Sequence, residues 1–222
     1  MKYLAIALLA ATSISAQAQT FDTTNLSAFI NLGSTTQEAK NFTNAKDSTT
    51  SIDVGLQYQF DSYWSMGVSY ADFGEVTLET VKNQQISVQN IRLARDLSIN
   101  SKLNSFNIFG QLQTEAEVGN IAFGMRLGLS RWSHDIPQIY TITSAPTAAR
   151  NIIGQTFTEP SSTTGVDVYG GLFAEYLMSE TITLGLYVTN LRFDSTMEWA
   201  VQNQKEQEFN ALTYSVGLKY NF

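Results

Sequence analysis

The chain has 222 residues, 43% of them hydrophobic and 12% aromatic, with 20 acidic residues against 13 basic ones, three prolines and no cysteine. Without cysteine it is not a disulfide-stapled scaffold, and an acidic balance with no basic stripe argues against nucleic acid as a partner. After the N-terminal segment no run of about 18 apolar residues occurs, which excludes a helical membrane span.

The first residues, MKYLAIALLAATSISAQAQT, place Lys2 before an apolar run from Leu4 to Ala11 and then Ala16-Gln17-Ala18. A short apolar core ending in a small-x-small pattern is the form of a secretory signal with its cleavage site. Residues 1–18 are read as a cleaved signal peptide and 19–222 as one domain outside the cytoplasm. Removal of Lys2 leaves 12 basic residues against 20 acidic ones.

From there the pattern has period two, which only an extended strand converts into two distinct faces. LSAFINLG, near residues 26–33, is the first strand. In SIDVGLQYQF, Ile52, Val54, Leu56, Tyr58 and Phe60 share one face and Asp53, Gly55, Gln57 and Gln59 the other. WSMGVSY opposes Trp64, Met66, Val68 and Tyr70 to Ser65, Gly67 and Ser69, and FNIFGQLQT sets Phe106, Ile108 and Leu112 against Asn107, Phe109, Gln111 and Gln113. IAFGMRLGLS, VDVYGGLFAEY, ITLGLYVT and the C-terminal YSVGLKYNF bring the total to eight. Short turns follow strands two, four and six, at 61–63, 115–120 and 178–181. The odd connections are long, about residues 34–50, 74–102, 131–164 and 190–208, and read as loops rich in Ser, Thr, Asn and Gln. Alternating tight turns and long loops fit an up-and-down barrel with one constrained end.

Eight such strands also suit a soluble lipocalin-like barrel or a sandwich with the apolar face inward. The polar face decides between them, because it carries Gly55, Gly67, Gly124, Gly128, Gly171, Gly185 and Gly217 together with Ser65, Ser69 and Ala122. An eight-stranded barrel has an interior only just wide enough for side chains, so the small residues belong inside and the large apolar ones outside. Hydrocarbon accepts that outer face, and a closed sheet leaves no unpaired edge in it. The expected fold is an all-β, eight-stranded antiparallel transmembrane β-barrel, monomeric, with short periplasmic turns and long extracellular loops. Phe60, Tyr63, Trp64, Tyr176, Tyr220 and Phe222 gather at the turn end as a periplasmic aromatic girdle. Tyr214, Val216, Leu218, Tyr220 and Phe222 form the lipid face of the closing strand.

With these features the chain resembles the small outer-membrane β-barrel superfamily that includes OmpA-like transmembrane domains and OmpX-like and OmpW-like proteins. Tyr70 to Val76, YADFGEV, is similar to a strand end of OmpA-like barrels. The resemblance implies a place in the outer membrane, contact with its lipid and lipopolysaccharide, and recognition of the C-terminal strand, from Tyr214 to Phe222, by the barrel-assembly machinery. Since the chain stops at the eighth strand, the peptidoglycan-binding domain of full-length OmpA proteins is not expected.

Inside the barrel the ionisable residues are Asp53, Arg126, Asp167, Glu175 and Lys219. A buried charge without a partner is costly, so Arg126 is expected to meet a carboxylate and Lys219 to lie near Glu175. The set serves as a polar plug or as an ion-pair gate for small solutes. Phe109, Tyr169, Phe173 and Tyr187 point inward and narrow any pore. His134, the single histidine, lies in SRWSHDIPQ past the fifth strand and reads as a solvated loop side chain. Its neighbours Ser133 and Asp135 point away from it on an extended chain, as a catalytic set would not. The stretch is similar to the Arg-x-x-His-x-Ser-Asn pattern of lipid A deacylases, yet Ile136 and Pro137 replace the last two residues. No enzyme activity, cofactor or metal is expected. Arg92, Arg95, Arg131, Arg150, Arg192 and Lys205 in the loops suit lipopolysaccharide phosphates, and adhesion or recognition by the loops is the alternative to a structural role.

Overall fold

The structure is a computed structural model that describes residues 25–40, 46–88, 91–114, 120–199 and 202–222. The signal reading falls on residues 1–18, outside the described ones. Ten strands make one sheet: β1 (Leu26–Ala39), β2 (Lys46–Gln59), β3 (Trp64–Val88), β4 (Ile91–Gln113), β5 (Ile121–Asp135), β6 (Gln138–Ser144), β7 (Thr156–Glu159), β8 (Ser162–Leu177), β9 (Ile182–Trp199) and β10 (Gln202–Asn221). All pairings are antiparallel, and the β1–β10 ladder closes the eight-stranded barrel. The two extra strands prolong their neighbours. β5 breaks at Ile136-Pro137 and continues as β6, still bonded to β4, while β7 breaks at Pro160-Ser161 and continues as β8. Ile136 N–H donates to Ser161 O at 2.7 Å across the facing breaks.

In the lower half, on the side of the short turns, the large residues face outward and are exposed, as in Ile121, Phe123, Met125, Leu127 and Leu129 of β5. Nine residues at about 3.3 Å each give a band long enough to cross the hydrocarbon when tilted. Small and polar residues face in, because a Cβ on Gly124 would lie 2.3 Å from the Phe173 ring and one on Gly67 would lie 2.4 Å from the Phe109 ring.

The upper half differs from the expectation of long loops. Among the described residues the stretches 34–50, 74–102, 131–164 and 190–208 are mostly strand, and in β3, β4, β5, β9 and β10 period two continues there with its polarity reversed. Leu97, Ile99 and Leu103 of β4, Trp132 of β5, Leu191 and Phe193 of β9 and Phe209 and Ala211 of β10 point inward and are buried. Lys102, Arg131, Arg192, Asp194 and Glu208 point out. Once a strand leaves the hydrocarbon its outer face meets water, and the apolar side chains gain by turning to each other. β3 makes the change through an irregularity between Asp72 and Glu75, with Gly74 at φ 75°, which resets the phase for Val76 and Leu78.

Two ladders end where the reversal begins. β2 pairs with β3 only up to Ile52↔Asp72, and β8 with β9 only up to Tyr169↔Leu191. Above those points the barrel divides among the described residues into two four-stranded sheets, β2-β1-β10-β9 and β3-β4-β5/β6-β8/β7. They face each other across the apolar core, through contacts such as Trp132 with Phe193, ring centroids 4.7 Å apart.

Met125→Arg, in the middle of the outward band, is expected to cost about 2–4 kcal/mol of folding stability in lipid. Ser133→Arg, on the outer face above it, should stay within about 0.5 kcal/mol. Urea titration of both variants in phospholipid vesicles checks the difference.

Candidate functional site in the barrel lumen

The strand register carries Glu175, Tyr187 and Lys219 to one level near the turn end. Glu175 lies opposite Gly185, and Gly185 opposite Gly217. These glycines leave the room the Tyr187 ring occupies: a Cβ on Gly185 would sit 2.4 Å from it. Tyr187 Oη–H donates to Glu175 Oε1 at 2.7 Å, and Lys219 Nζ donates to Glu175 Oε2. All three side chains are buried. The carboxylate thus has a donor on each oxygen, which offsets the cost of removing it from water.

Arg126 fills the middle. Its Nη1 is 3.6 Å from Asp53 Oδ2, and its guanidinium carbon lies 4.0 Å from the Phe109 ring centre and 5.3 Å from those of Phe29 and Tyr187. A guanidinium suits this place because it is weakly hydrated and stacks on aromatic faces. Asn31 Nδ2 donates to Asp53 Oδ2 at 3.1 Å. Beside Arg126 a cavity of about 30 Å³ reaches Asp53, Asn107, Tyr169 and Leu191. Arg126 Nε and Asn31 Oδ1 have no protein partner there, and the space suffices for a bridging water.

Asp167 stands apart from both groups. Its Oδ2 accepts from the Trp132 indole N–H at 2.7 Å, so it fixes a core ring above the lumen. Phe109, Tyr169, Phe173 and Tyr187 are all buried inside, and Phe29 joins them. Sequence reading missed Phe29, although its place beside Ala28 and Ile30 on an alternating strand carried the signal.

At the turn end Phe60, Tyr63, Trp64, Tyr176, Tyr220 and Phe222 are exposed on the outer surface. Tyr214, Val216 and Leu218 continue that face up the closing strand, also exposed. β10 is held by β1 and β9, and Phe222 N–H donates to Leu26 O at 3.0 Å, so the last residue is tied to the first strand.

The solvated reading of His134 is overturned: the ring is 0% exposed. It points inward above the band, where Phe193 and Phe209 meet it edge-on with centroids 5.1 and 4.5 Å away. Nε2 lies 2.7 Å from Ser101 Oγ. Burial pushes its pKa down to about 3, against a weaker opposing pull from Asp135. Its even-numbered position continues the inward parity of Trp132, the signal that reading the stretch as a loop discarded. Ser133 and Asp135 do lie on the other face, and among the described residues no three His, Asp, Glu or Cys side chains are placed to hold a metal.

Lys219→Met leaves Glu175 buried without its cation and is expected to destabilise the barrel by roughly 3–5 kcal/mol. Adding Glu175→Gln, which keeps an acceptor for Tyr187, should recover much of that loss. A double-mutant cycle from unfolding curves measures the coupling, and additive losses would show that the pair does not act as one unit.

No curated protein matches the chain in sequence. Solved structures do match in fold. Neisserial surface protein A aligns with a TM-score of 0.51 at 9% identity over 89% of this chain and 97% of that one. Ail, the attachment invasion locus protein of Yersinia pestis, aligns at 0.46 and 10% identity over 88% and 98%. OprG of Pseudomonas aeruginosa aligns at 0.46 and 12% identity over 88% and 95%. The family model for the outer membrane protein beta-barrel domain matches residues 4–222. With its closed eight-stranded barrel and outward apolar band, the chain belongs to that outer-membrane β-barrel family.

Proposed function

We propose that the protein is a non-enzymatic outer-membrane scaffold whose work is done by the paired sheets it projects above the membrane. The observation that carries this reading is that the barrel is filled along its length while its upper strands extend outward with unpaired edges. Lys219, Glu175 and Tyr187 occupy the turn end, Arg126 and its rings the middle, and the apolar core the top. Above Ile52↔Asp72 and Tyr169↔Leu191, among the described residues, four strands each lack one neighbour, and such edges offer backbone donors and acceptors to an added strand. The reading is adhesion or another form of extracellular recognition.

In this reading the signal segment 1–18 directs export, the aromatic residues at the turn end sit in the periplasmic headgroups, and the strand from Tyr214 to Phe222 is the assembly signal. The protein works as a monomer. Arg131 and Arg192, on the outer face just above the apolar band, are the basic residues best placed for lipopolysaccharide phosphates. Arg92, Arg95 and Arg150 lie farther along the chain's projecting hairpins.

Passage of small solutes is the second reading, favoured by the 3.6 Å Arg126–Asp53 contact and the cavity beside it. Conduction requires Arg126 and the Glu175–Lys219 pair to move together. Two measurements separate the readings. Purified protein in planar bilayers is expected to show no unitary conductance, and a conductance that changes in Arg126→Ala would favour the gate. Replacing residues 80–98 with Asn-Gly, which rejoins the paired Glu79 and Ile99, should leave heat-modifiable folding intact and abolish binding of cells to extracellular matrix proteins. Unchanged binding would overturn the recognition reading.

A further inference from the structure

The two upper sheets are held together without a ladder at either seam, so the bonds that cross between their inner faces decide whether they stay closed. Among the described residues one polar chain crosses. Gln37 of β1, in one sheet, directs its amide Nε2 to Gly74 O of β3 at 3.5 Å and accepts at Oε1 from Ser101 Oγ of β4 at 2.6 Å, both in the other sheet. The Ser101 proton is thereby committed to Gln37, so His134 Nε2 must donate to Ser101 Oγ, 2.7 Å away. The imidazole is then neutral, with its lone pair on Nδ1. That atom is buried and has no hydrogen-bond partner.

We propose that His134 is an acid-sensitive latch: protonation of Nδ1 parts the two extracellular sheets along the β2/β3 and β8/β9 seams while the barrel in the membrane stays closed. A proton on Nδ1 creates a cation with no acceptor, set against the stacked pair of Phe193 and Phe209 rings that come from the opposite sheet. A charge in such a place is relieved by reaching water. The shortest way is to separate the sheets, since no backbone hydrogen bond joins them above Ile52↔Asp72 and Tyr169↔Leu191 among the described residues. Below those pairs every strand keeps both neighbours.

The charged groups around the ring do not stabilise the cation where it stands. On β5 itself Asp135 is the nearest carboxylate, and its side chain belongs to the outer face. Asp167 of β8 is engaged by the Trp132 indole. Lys102 of β4, Asp194 of β9 and Glu208 of β10 are exposed on the far faces of their sheets, with Glu208 bound to Lys40. From β1 the facing residue is the uncharged Gln37. β3 sends in apolar Val76 and Leu78.

The direction of the pH effect follows from the lowered value. In the closed form the imidazole pKa is about 3, and in the opened form it returns to the ordinary value of about 6.5. The closed form is therefore favoured fully above pH 6.5 and loses that advantage as pH falls toward 3. At pH 4.5 the opening equilibrium shifts by about 100-fold relative to pH 8. This is a property of the protein itself and stands whatever the projection binds.

The absence of native cysteine makes the test direct. Spin labels on Ser48→Cys of β2 and Thr77→Cys of β3, exposed on either side of one seam, report its width by pulsed dipolar spectroscopy in lipid nanodiscs. The wild-type background is expected to show a single short distance at pH 8 and a growing longer population between pH 6 and 4. In His134→Phe and in His134→Gln, which are uncharged throughout, the distance should stay at its pH 8 value. Heat-modifiable migration checks at each pH that the membrane barrel is folded, and two substitutions of different shape guard against one that misfolds. An unchanged distance in the wild type down to pH 4, or equal widening in both variants, overturns the latch, the second outcome assigning the response to carboxylates such as Asp167.

Discussion

Hydrocarbon offers a side chain or a peptide group nothing to bond with, and water begins abruptly above it. β4, β5, β9 and β10 cross that boundary while keeping their pleat, so their inner and outer sets of positions stay the same and the residues filling them exchange character. Leu184, Leu186 and Val188 of β9 face lipid at even positions, and Leu191 and Phe193 face the core at odd ones. β4, β5 and β10 make the same exchange without an inserted residue, and β3 makes it with a bulge. The closed ladder below and the two facing sheets above are both answers to this one boundary.

Inside the band the constraint is volume. Eight strands leave space for side chains alone, and the lumen is shared between rings laid on glycines and a few charges that bind one another. Arg126 is held by aromatic faces as much as by Asp53, which explains how a guanidinium sits in the middle of the protein with a single long contact to a carboxylate. Nearer the turns, Glu175 binds a cation and a phenol at once. Apart from the small cavity beside Arg126, the filling continues into the apolar core above.

The barrel, its strand order and the inward parity of Asp53, Arg126, Glu175 and Lys219 were legible because alternation there is strict and glycine marks the inside, whereas Asp167 stands above that group on the Trp132 indole. The lower pairing of Lys219 with Glu175 could be anticipated from strand direction alone. The upper half looks like loop in the sequence for a specific reason: period two persists, but the apolar residues change parity between Phe106 and Leu103, or between Leu129 and Trp132. A pattern that changes phase scores as no pattern, and abundant Ser, Thr and Asn complete the likeness to a loop. Misreading that half also misplaced His134. Its neighbours are Ser101, Phe193, Phe209 and, through Ser101, Gln37, which lie far from it in sequence.

β3 and β4 run as 25 and 23 continuous residues from the short-turn end to the far end of the projection. A tether fastened at their tip therefore pulls along the strand axes and loads the flanking ladders in shear, many bonds at once, instead of unzipping them singly. Traction on the projection passes straight into the banded part of the barrel. The same covalent rods that lift the sheets into the medium anchor them against being torn away.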